Sequence, residues 1–434
     1  MRRTQGVVAS SSLALVIAAG SVTATPALDY TIGVSLRHDD NVNQSATDPV
    51  SDNILTPSLA FSLNQQGSAV TARAAGTLEY RDYMSGSYNS QFAGLLSGTA
   101  AWHISPERLD WVVEDYVGRQ PVDVLANNTP SNQQQTNVFS TGPTLRAHFG
   151  DGLRGQLDLR YTNNYAEVSK DFNGDRISAA GRVLYLLDPT SELAGNLSVE
   201  SARFDVAPKR FDYDRGDAYL GYSRSGGSVN LQGSLGYSRL TFRDGGGSHG
   251  GLLATLTVTY APNPANTFAL GASDTYSDAA AELSLDPSQI GQQGVVGSGL
   301  SGVVVAPDVY RERSLRLSFG HHGERYHLTV APFVRRLHYL DPTTPDERSR
   351  GLYADFTWSL TARNELSVFA GGENRDYVSL DRNDRDRSYG ASVSWQQARN
   401  WAWVLSVTRL KRSTNALDQS FTENAIGLSL IYRR

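Results

Sequence analysis

Arginine and carboxylate side chains recur at alternate positions in many short stretches of the sequence. In a β-strand such alternation places them on one face. Arginine presents a planar fork of donors that could bind carboxylated or phosphorylated solutes. The alternative is that genome composition favours arginine and that arginines and carboxylates pair in internal ladders, and this is the interpretation we favour. The residues predicted to face a water-filled interior are Arg37, Arg73, Glu79, Arg81, Asp158, Arg160, Asp217, Arg316, Asp355 and Glu373.

The histidines do not predict a catalytic site. They are scattered along the chain, and none lies beside a recognisable nucleophile motif. A hydrolase would need a Ser/His or Asp/His site at one rim of the protein. The sequence therefore predicts no enzyme and no cofactor. The histidines are His38, His103, His148, His249, His321, His322, His327 and His338.

Two hydrophilic segments carry clusters of oxygen ligands, which calcium prefers. The first contains Asp39, Asp40, Asn41, Asn43, Asp48 and Asp52, and the second contains Asp381, Asn383, Asp384 and Asp386. Solvated loops that repel phosphate groups, or are bridged to them by divalent ions, explain the same residues. We predict no defined metal site.

About twenty short stretches alternate apolar with polar residues and so predict β-strands with one apolar face. In the clearest of them Leu252, Ala254, Leu256, Val258 and Tyr260 share a face, and Leu253 is the only apolar residue on the other. The predicted strands lie near 29–37, 54–63, 69–82, 90–103, 109–119, 135–149, 153–168, 176–187, 192–204, 212–224, 229–242, 251–260, 267–276, 309–321, 326–339, 349–360, 365–377, 386–396, 401–412 and 422–433.

The connections alternate between short and long, which is typical of a transmembrane antiparallel β-barrel. Tight turns near 64–67, 105–108, 149–152, 361–364 and 397–400 contain Gly, Pro, Asn or Asp and are predicted to be periplasmic. Long hydrophilic segments at 38–53, 120–134, 205–211, 277–308, 340–348 and 378–385 are predicted to be extracellular. We predict about 20 strands, with 18 as the alternative, and a large soluble all-β protein as the competing fold.

Composition supports a barrel and excludes other classes. Apolar residues make up 40% of the chain, and after the first thirty residues no run approaches the ~20 apolar residues of a membrane-spanning helix. Cysteine is absent, and the formal net charge is −5. No basic stripe is interleaved with aromatic residues, so nucleic acid is not predicted as a partner.

Residues 1–24 have the pattern of a secretory signal peptide. Arg2 and Arg3 precede a small-residue apolar stretch from Gly6 to Gly20, and Val22-Thr23-Ala24 provides small residues before a cleavage site. We predict cleavage after Ala24, a barrel over 25–434, and insertion into the outer membrane of a Gram-negative bacterium.

All tryptophans flank three of the predicted periplasmic turns. Indole rings favour the boundary between hydrocarbon and headgroups, because the ring is apolar and its N–H needs a partner. Ordinary strand aromatics near turns are the alternative explanation. We predict an aromatic girdle made of Trp102, Trp111, Trp358, Trp395, Trp401 and Trp403.

The last strand resembles the C-terminal signal that the barrel-assembly machinery reads in its clients. Ile426, Leu428, Leu430 and Tyr432 alternate, although the chain continues to Arg433 and Arg434 where such signals usually end on an aromatic residue. The expected partners are therefore outer-membrane lipid, lipopolysaccharide and the assembly machinery.

The segment Tyr30-Thr-Ile-Gly-Val-Ser-Leu-Arg37-His-Asp39-Asp40-Asn41 resembles the opening strand and Asp-Asp-Asn loop of the outer-membrane β-barrel porin type 2 family. Trp102-His-Ile-Ser-Pro106, Tyr260-Ala-Pro-Asn-Pro264 and Trp358-Ser-Leu-Thr-Ala362 fit the same pattern, and the resemblance spans roughly residues 28 to 434. It implies a link to exopolysaccharide biosynthesis and to polysaccharide export components.

The expected function is a channel that assists exopolysaccharide export or the diffusion of smaller polar solutes. The long segment 279–307, poor in charge and rich in Gly, Gln, Ser and Val, could fold into the pore and narrow it, or remain an external loop. A non-conducting barrel that anchors a secretion complex is the competing function.

Overall fold

The computed structural model describes residues 27–284 and 304–434, which form one antiparallel sheet of 20 strands. In chain order, β1 to β20 span Ala27–Asp39, Asp52–Gln66, Val70–Tyr83, Gln91–Ser105, Leu109–Pro121, Gln133–His148, Leu153–Ala166, Gly174–Asp188, Ser191–Phe204, Tyr213–Gly226, Val229–Phe242, Ser248–Asn263, Asn266–Asp278, Val309–His322, Tyr326–Tyr339, Glu347–Ser359, Asn364–Tyr377, Arg382–Gln396, Trp401–Thr414 and Phe421–Arg433.

The sheet closes on itself. Each strand pairs with the next in sequence, and β1 also pairs with β20, with Ile32 opposite Tyr432 and Leu36 opposite Leu428. Closure removes both edge strands, whose unpaired backbone groups could not be satisfied in hydrocarbon. The predicted barrel and its strand number are confirmed, and the alternatives of 18 strands and of a large soluble all-β protein are wrong.

The strands have an apolar outward face and a mainly polar inward face. On β12 the side chains of Leu252, Leu256 and Tyr260 are exposed outward, whereas Leu253 on the other face is buried. On β1 the outward residues Ile32, Val34 and Leu36 are each about half exposed. A continuous apolar outer surface of this kind is unfavourable in water but favourable in contact with lipid. The fold is therefore that of an outer-membrane barrel.

The two ends of the barrel differ in the length of their connections. At the short-turn end, adjacent strands are joined by segments such as 189–190, 227–228 and 264–265. At the long-loop end the connections include 40–51, 122–132 and 279–308. This alternation agrees with the sequence prediction.

One predicted loop is shorter than expected. The segment 378–385 was predicted to be hydrophilic loop, but β18 already begins at Arg382. Asp384 and Asp386 therefore lie on the inward face of a strand, where Arg382 and Arg412 bind them. The prediction was wrong because it assumes that the acidic residues are solvated. Arg412, the partner of Asp386, is distant in the sequence, and Arg382 meets Asp384 only because both lie on the same face of a strand.

Small elements of helix lie at the long-loop end. Helix α1 spans Ala279–Leu283, and single 3-10 turns span Pro130–Asn132, Lys170–Phe172, Lys209–Phe211 and Val378–Leu380. Within residues 27–284 and 304–434 no helix has the length and apolar character needed to cross a membrane. The predicted signal peptide, residues 1–24, lies outside the described residues.

Candidate functional site

The register places every predicted interior residue on the inward face. Arg37, for example, lies opposite Gly427 between the outward-facing Leu36 and His38, and Asp355 lies opposite Thr329. The same face carries Arg73, Glu79, Arg81, Asp158, Arg160, Asp217, Arg316 and Glu373.

Most of these residues are paired with one another or with neighbours. Arg37 bridges Asp39 and Glu423 at 2.7 Å each, and Arg81 binds Glu79 at 2.8 Å. Arg160 lies 3.5 Å from Asp158. The remaining pairs are Arg215–Asp217 and Arg375–Glu373, both at 3.0 Å. Among the described residues Arg73, Arg316 and Asp355 have no ion pair. The inward arginines are thus arranged mainly in internal ladders, and few are left to bind a charged solute.

The long-loop end of β13 bends away from β12 and over the inner wall. The β12–β13 ladder ends at the pair Ala254 and Asp274, although β13 continues to Asp278. Beyond that point Arg215, on the inward face of β10, donates to the carbonyl oxygen of Tyr276 at 2.9 Å. The end of this strand therefore lies inside the barrel.

A buried ionic cluster holds this end in place. The Asp278 carboxylate forms an ion pair with Arg176 of β8 and accepts a hydrogen bond from the Tyr213 hydroxyl of β10 at 2.5 Å. Arg176 also donates to the Tyr213 oxygen at 2.9 Å. The surrounding side chains form an apolar cluster that excludes water from the charges, namely Ala202, Phe204, Ala207, Leu240, Tyr276 and Val309.

Helix α1 follows directly and contacts a different part of the wall. The Asp278 side chain caps it by accepting a hydrogen bond from the Ala281 amide at 3.0 Å. Ala279, Ala280 and Leu283 pack against Val138 of β6 and a set of neighbours that includes Ala166, Phe172 and Val305. The apolar face of the helix is thus buried on β6 and β7.

The polar side of α1 binds the opposite side of the barrel. The Glu282 carboxylate accepts a hydrogen bond from the Tyr310 hydroxyl of β14 at 2.6 Å and pairs with Arg335 of β15 at 2.9 Å. Since β6 and β15 are separated by many strands in either direction round the sheet, α1 connects two walls that do not otherwise meet. The barrel is therefore crossed at this level.

A second crossing lies over the first strands. Gln44, in the β1–β2 loop, donates to Glu423 of β20 at 3.0 Å, and Asn127, in the β5–β6 loop, donates to the Gln44 carbonyl oxygen at 2.8 Å. Arg412 of β19 reaches the Asn127 side-chain oxygen at 3.3 Å. These contacts tie two loops together and fix them to the β19–β20 wall, so the long-loop end is narrowed from two sides.

The sequence prediction for 279–307 covers both described and undescribed residues. Residues 285–303 lie outside the described part of the chain. On either side of them, α1 and Val305 are buried against the inner wall, as expected for a segment that folds into the pore.

Sequence reasoning did not select the residues that carry these crossings. Arg176 and Arg335 share the inward alternation of the selected set, so strand parity could have found them. Asp278 could not have been found in that way, because alternation along β13 gives it the outward parity of Ala272.

The tryptophans lie on the outward face near the short-turn end. Trp102 faces Trp111 across β4 and β5, and Trp395 faces Trp403 across β18 and β19. The Trp401 ring lies 5.1 Å from that of Tyr432. Trp358 of β16 lies opposite Tyr326 and Leu366. Their role as a membrane girdle stays a prediction.

Among the described residues no group of three or more His, Asp or Glu side chains is arranged to hold a metal ion. The acidic residues near the rim instead bind arginines or cap turns; the Asp52 carboxylate, for example, accepts hydrogen bonds from the Ser85 and Ser87 amides at 2.8 and 3.1 Å.

No protein-family model and no curated protein matches this sequence. Solved structures do resemble it. The siderophore receptor PirA from Acinetobacter baumannii aligns with a TM-score of 0.50 and 9% identity over 94% of this chain and 81% of that one. The FrpB iron transporter from Neisseria meningitidis (F5-1 variant) aligns with a TM-score of 0.49 and 9% identity over 94% and 82%. At such identity the likeness shows the fold of an outer-membrane barrel and nothing about its cargo.

Proposed function

We propose that this chain is an outer-membrane transport barrel for polar solutes, with passage limited by the inward-folded end of β13 and helix α1. The observation that carries the proposal is the pair of contacts made by α1, to β6 on one side and to β14 and β15 on the other. A barrel that served only as an anchor would need no such crossing of its interior.

The inward face suits a hydrated, uncharged cargo. Near the short-turn end it carries many hydroxyl groups, such as those of Ser58, Ser406 and Ser429. Toward the long-loop end arginines and carboxylates are mostly paired, which leaves little fixed charge to trap an ion. Hydrogen bonds from wall hydroxyl groups to a sugar and to water have similar free energies. A saccharide could therefore pass without binding tightly.

Exopolysaccharide is the finer proposal for the cargo, with smaller polar solutes as the alternative. It is supported by the resemblance of the Tyr30–Asn41 segment to the porin type 2 family. We propose on the same basis that polysaccharide export components act beside the barrel. The iron and siderophore cargoes named for the structural neighbours are not proposed for this chain, because the likeness to those structures shows only the fold.

The proposed orientation puts the short-turn end in the periplasm and the long-loop end outside. We propose that the barrel-assembly machinery inserts the chain after a signal peptidase cuts behind Ala24. Mass spectrometry of the mature protein should then find Thr25 at the amino terminus. Folded protein in detergent should give a β-rich circular dichroism spectrum and migrate faster on gels before heating than after it.

Planar-bilayer conductance tests the transport function. The wild type should conduct weakly, and replacing 279–307 with a short Gly-Ser linker should raise the conductance, because the crossing between β6 and β15 is lost. Maltodextrins of increasing length should then interrupt the current of the linker variant if saccharides enter. Replacing the β11–β12 turn, 243–247, with a linker is the matched control and should change nothing.

If neither the wild type nor the 279–307 linker variant conducts in planar bilayers, a transport role is contradicted. That result would favour the alternative of a barrel that anchors a secretion complex. Conductance without any effect of maltodextrins would retain transport and reject saccharide as the cargo.

A further inference from the structure

Basic residues on the outward face are concentrated on strands β14 to β19 near the long-loop end. Arg313, Arg336 and Arg348 lie directly opposite one another across β14, β15 and β16. The next strands continue the pattern with side chains that are all exposed. We call this set the basic belt and define it as Arg313, Arg336, Arg348, Arg350, Arg385, Arg387, Arg409 and Lys411.

The belt keeps a constant distance from the tryptophans. The same number of residues separates Trp358 from Arg350 on β16, Trp395 from Arg387 on β18, and Trp401 from Arg409 on β19. At ~3.3 Å per residue this spacing is about 26 Å along the strand. With strands tilted by roughly 35–45°, it corresponds to about 20 Å across the membrane, and a second row two residues further on lies near 25 Å.

The residues between the two levels are apolar on each of these strands. They are Phe356, Ala354 and Leu352 on β16, Val393, Ala391 and Tyr389 on β18, and Trp403, Leu405 and Val407 on β19. An apolar band about 25 Å tall is the height of the hydrocarbon layer around such barrels. The second row of the belt therefore lies at the end of this band, and the first row lies about 5 Å inside it, within reach of the headgroups for long arginine side chains.

Few protein carboxylates neutralise the belt. Within the described part of the chain Arg313 pairs with Asp274 at 3.1 Å, and no other belt residue forms an ion pair. Asp376 lies opposite Arg348, but its carboxylate accepts a hydrogen bond from the Asn383 amide group. This differs from the inward arginines, most of which are paired.

Among the described residues the rest of the rim has no comparable set of unpaired cations. Arg239 of β11 is exposed without an ion pair, but it stands alone on its part of the rim. On β9 to β12, Arg203 and Arg243 both bind Asp214, at 2.6 and 3.4 Å. On β6 and β7 the outward positions near the long-loop end are amides, among them Gln135, Asn137 and Asn163. The excess of positive charge is therefore confined to one side of the barrel.

We propose that the basic belt binds the phosphate groups of lipopolysaccharide in the outer leaflet. Arginine donates two parallel hydrogen bonds to a phosphate, and such charge-assisted bonds are stronger at a membrane surface than in bulk water. Three arginines in one cross-strand row can meet the phosphates of adjoining lipid molecules. The inference rests on the proposed orientation but not on transport. A negative result for lipid binding therefore leaves the transport proposal intact, and a negative result for conductance leaves the lipid site intact.

The test uses purified full-length barrel in detergent and two probes, diphosphoryl lipid A and lipid A stripped of its phosphates. The wild type should bind the first and bind the second much more weakly. The variant Arg336→Gln/Arg348→Gln/Arg350→Gln should bind diphosphoryl lipid A roughly a hundredfold more weakly, since each basic residue at a membrane surface contributes about a factor of five. The matched variant Arg203→Gln/Arg239→Gln/Arg243→Gln should bind like the wild type.

Equal affinity of the wild type and the belt variant, or of the two lipids, would overturn the proposal. Heat-modifiable migration verifies that each variant is folded. If the glutamine variant does not fold, the salt dependence of lipid binding by the wild type still tests the proposal. Binding to phosphates must weaken as ionic strength rises, and affinity that is independent of salt would reject the belt as a phosphate site.

Discussion

Arg176 of β8 and Asp278 of β13 form a buried ion pair although β9, β10, β11 and β12 separate their strands in the sheet. Both side chains are only 8% exposed. The pair can form only because the end of β13 leaves the wall and lies across the inner face of the intervening strands. It is therefore the contact that most directly shows the end of β13 inside the barrel.

The first prediction is that Arg176→Gln releases the end of β13. Breaking a buried ion pair by removing one partner costs about 3–5 kcal/mol, because the remaining charge is left uncompensated. Amide hydrogen exchange of residues 276–284 should accelerate, and single-channel conductance should rise. Arg243→Gln is the control, since its pair with Asp214 is exposed on the outward face. Unchanged exchange in Arg176→Gln would mean that the apolar cluster alone holds the segment.

The second prediction concerns the contact of α1 with β14 and β15. The chain contains no cysteine, so a single introduced thiol is the only group that a thiol reagent can label. Ala280→Cys lies in the buried cluster on β6 and should react slowly with a polar thiol reagent. Adding Glu282→Gln weakens the bonds to Tyr310 and Arg335 and should raise the reaction rate of that thiol. Leu417→Cys, at a position 87% exposed, should react rapidly in both backgrounds.

The sequence predicts the barrel well because strand alternation is a local property. The stretch Leu252–Tyr260 shows its outward face without reference to any other strand, and the same holds for Trp395, Trp401 and Trp403. The constriction is different, because it depends on which distant strands meet. Nothing near Asp278 in the sequence indicates that its partner is Arg176, and its alternation on β13 assigns it to the wrong face.

The third prediction is a pH dependence of how residues 304–308, the described segment just before β14, dock on the inner wall. Burial raises the pKa of the Asp308 carboxyl, and the nearby Asp341 raises it further, while a hydrogen bond from Thr344 at 2.6 Å opposes the rise. A raised pKa means that the docked segment binds the proton more tightly than the released one. The stabilisation from the neutral acid is thus complete below the ordinary carboxyl pKa of about 3.9 and is lost as the pH rises through the raised value.

Accessibility of Val305→Cys, a buried position near Asp308, measures this effect. Its labelling rate, divided by that of Leu417→Cys at the same pH to remove the intrinsic chemistry of the thiol, should increase as the pH rises above about 4. Asp308→Asn should flatten the dependence, because the amide keeps a side chain of the same shape without the titrating group. A normalised rate that is independent of pH in the parent protein would reject a role for Asp308.

The fourth prediction tests the close approach of β8 and β9, on which the position of Arg176 depends. A Cβ atom added to Gly174 would lie 2.2 Å from the carbonyl oxygen of Arg203 and 2.9 Å from the Cα of Phe204. Both are backbone atoms, so the strands must separate, and Gly174→Ala should destabilise the barrel by about 1–3 kcal/mol. Gly181→Ala on the same strand is the matched control, because nothing lies within 4 Å of its added Cβ. The temperature at which the fast-migrating folded form disappears on gels measures the difference. Since Gly174 lies two residues before Arg176, separating β8 from β9 at this point should also weaken the Arg176–Asp278 ion pair. A lower melting temperature without faster amide exchange of residues 276–284 would contradict this link between strand separation and the ion pair.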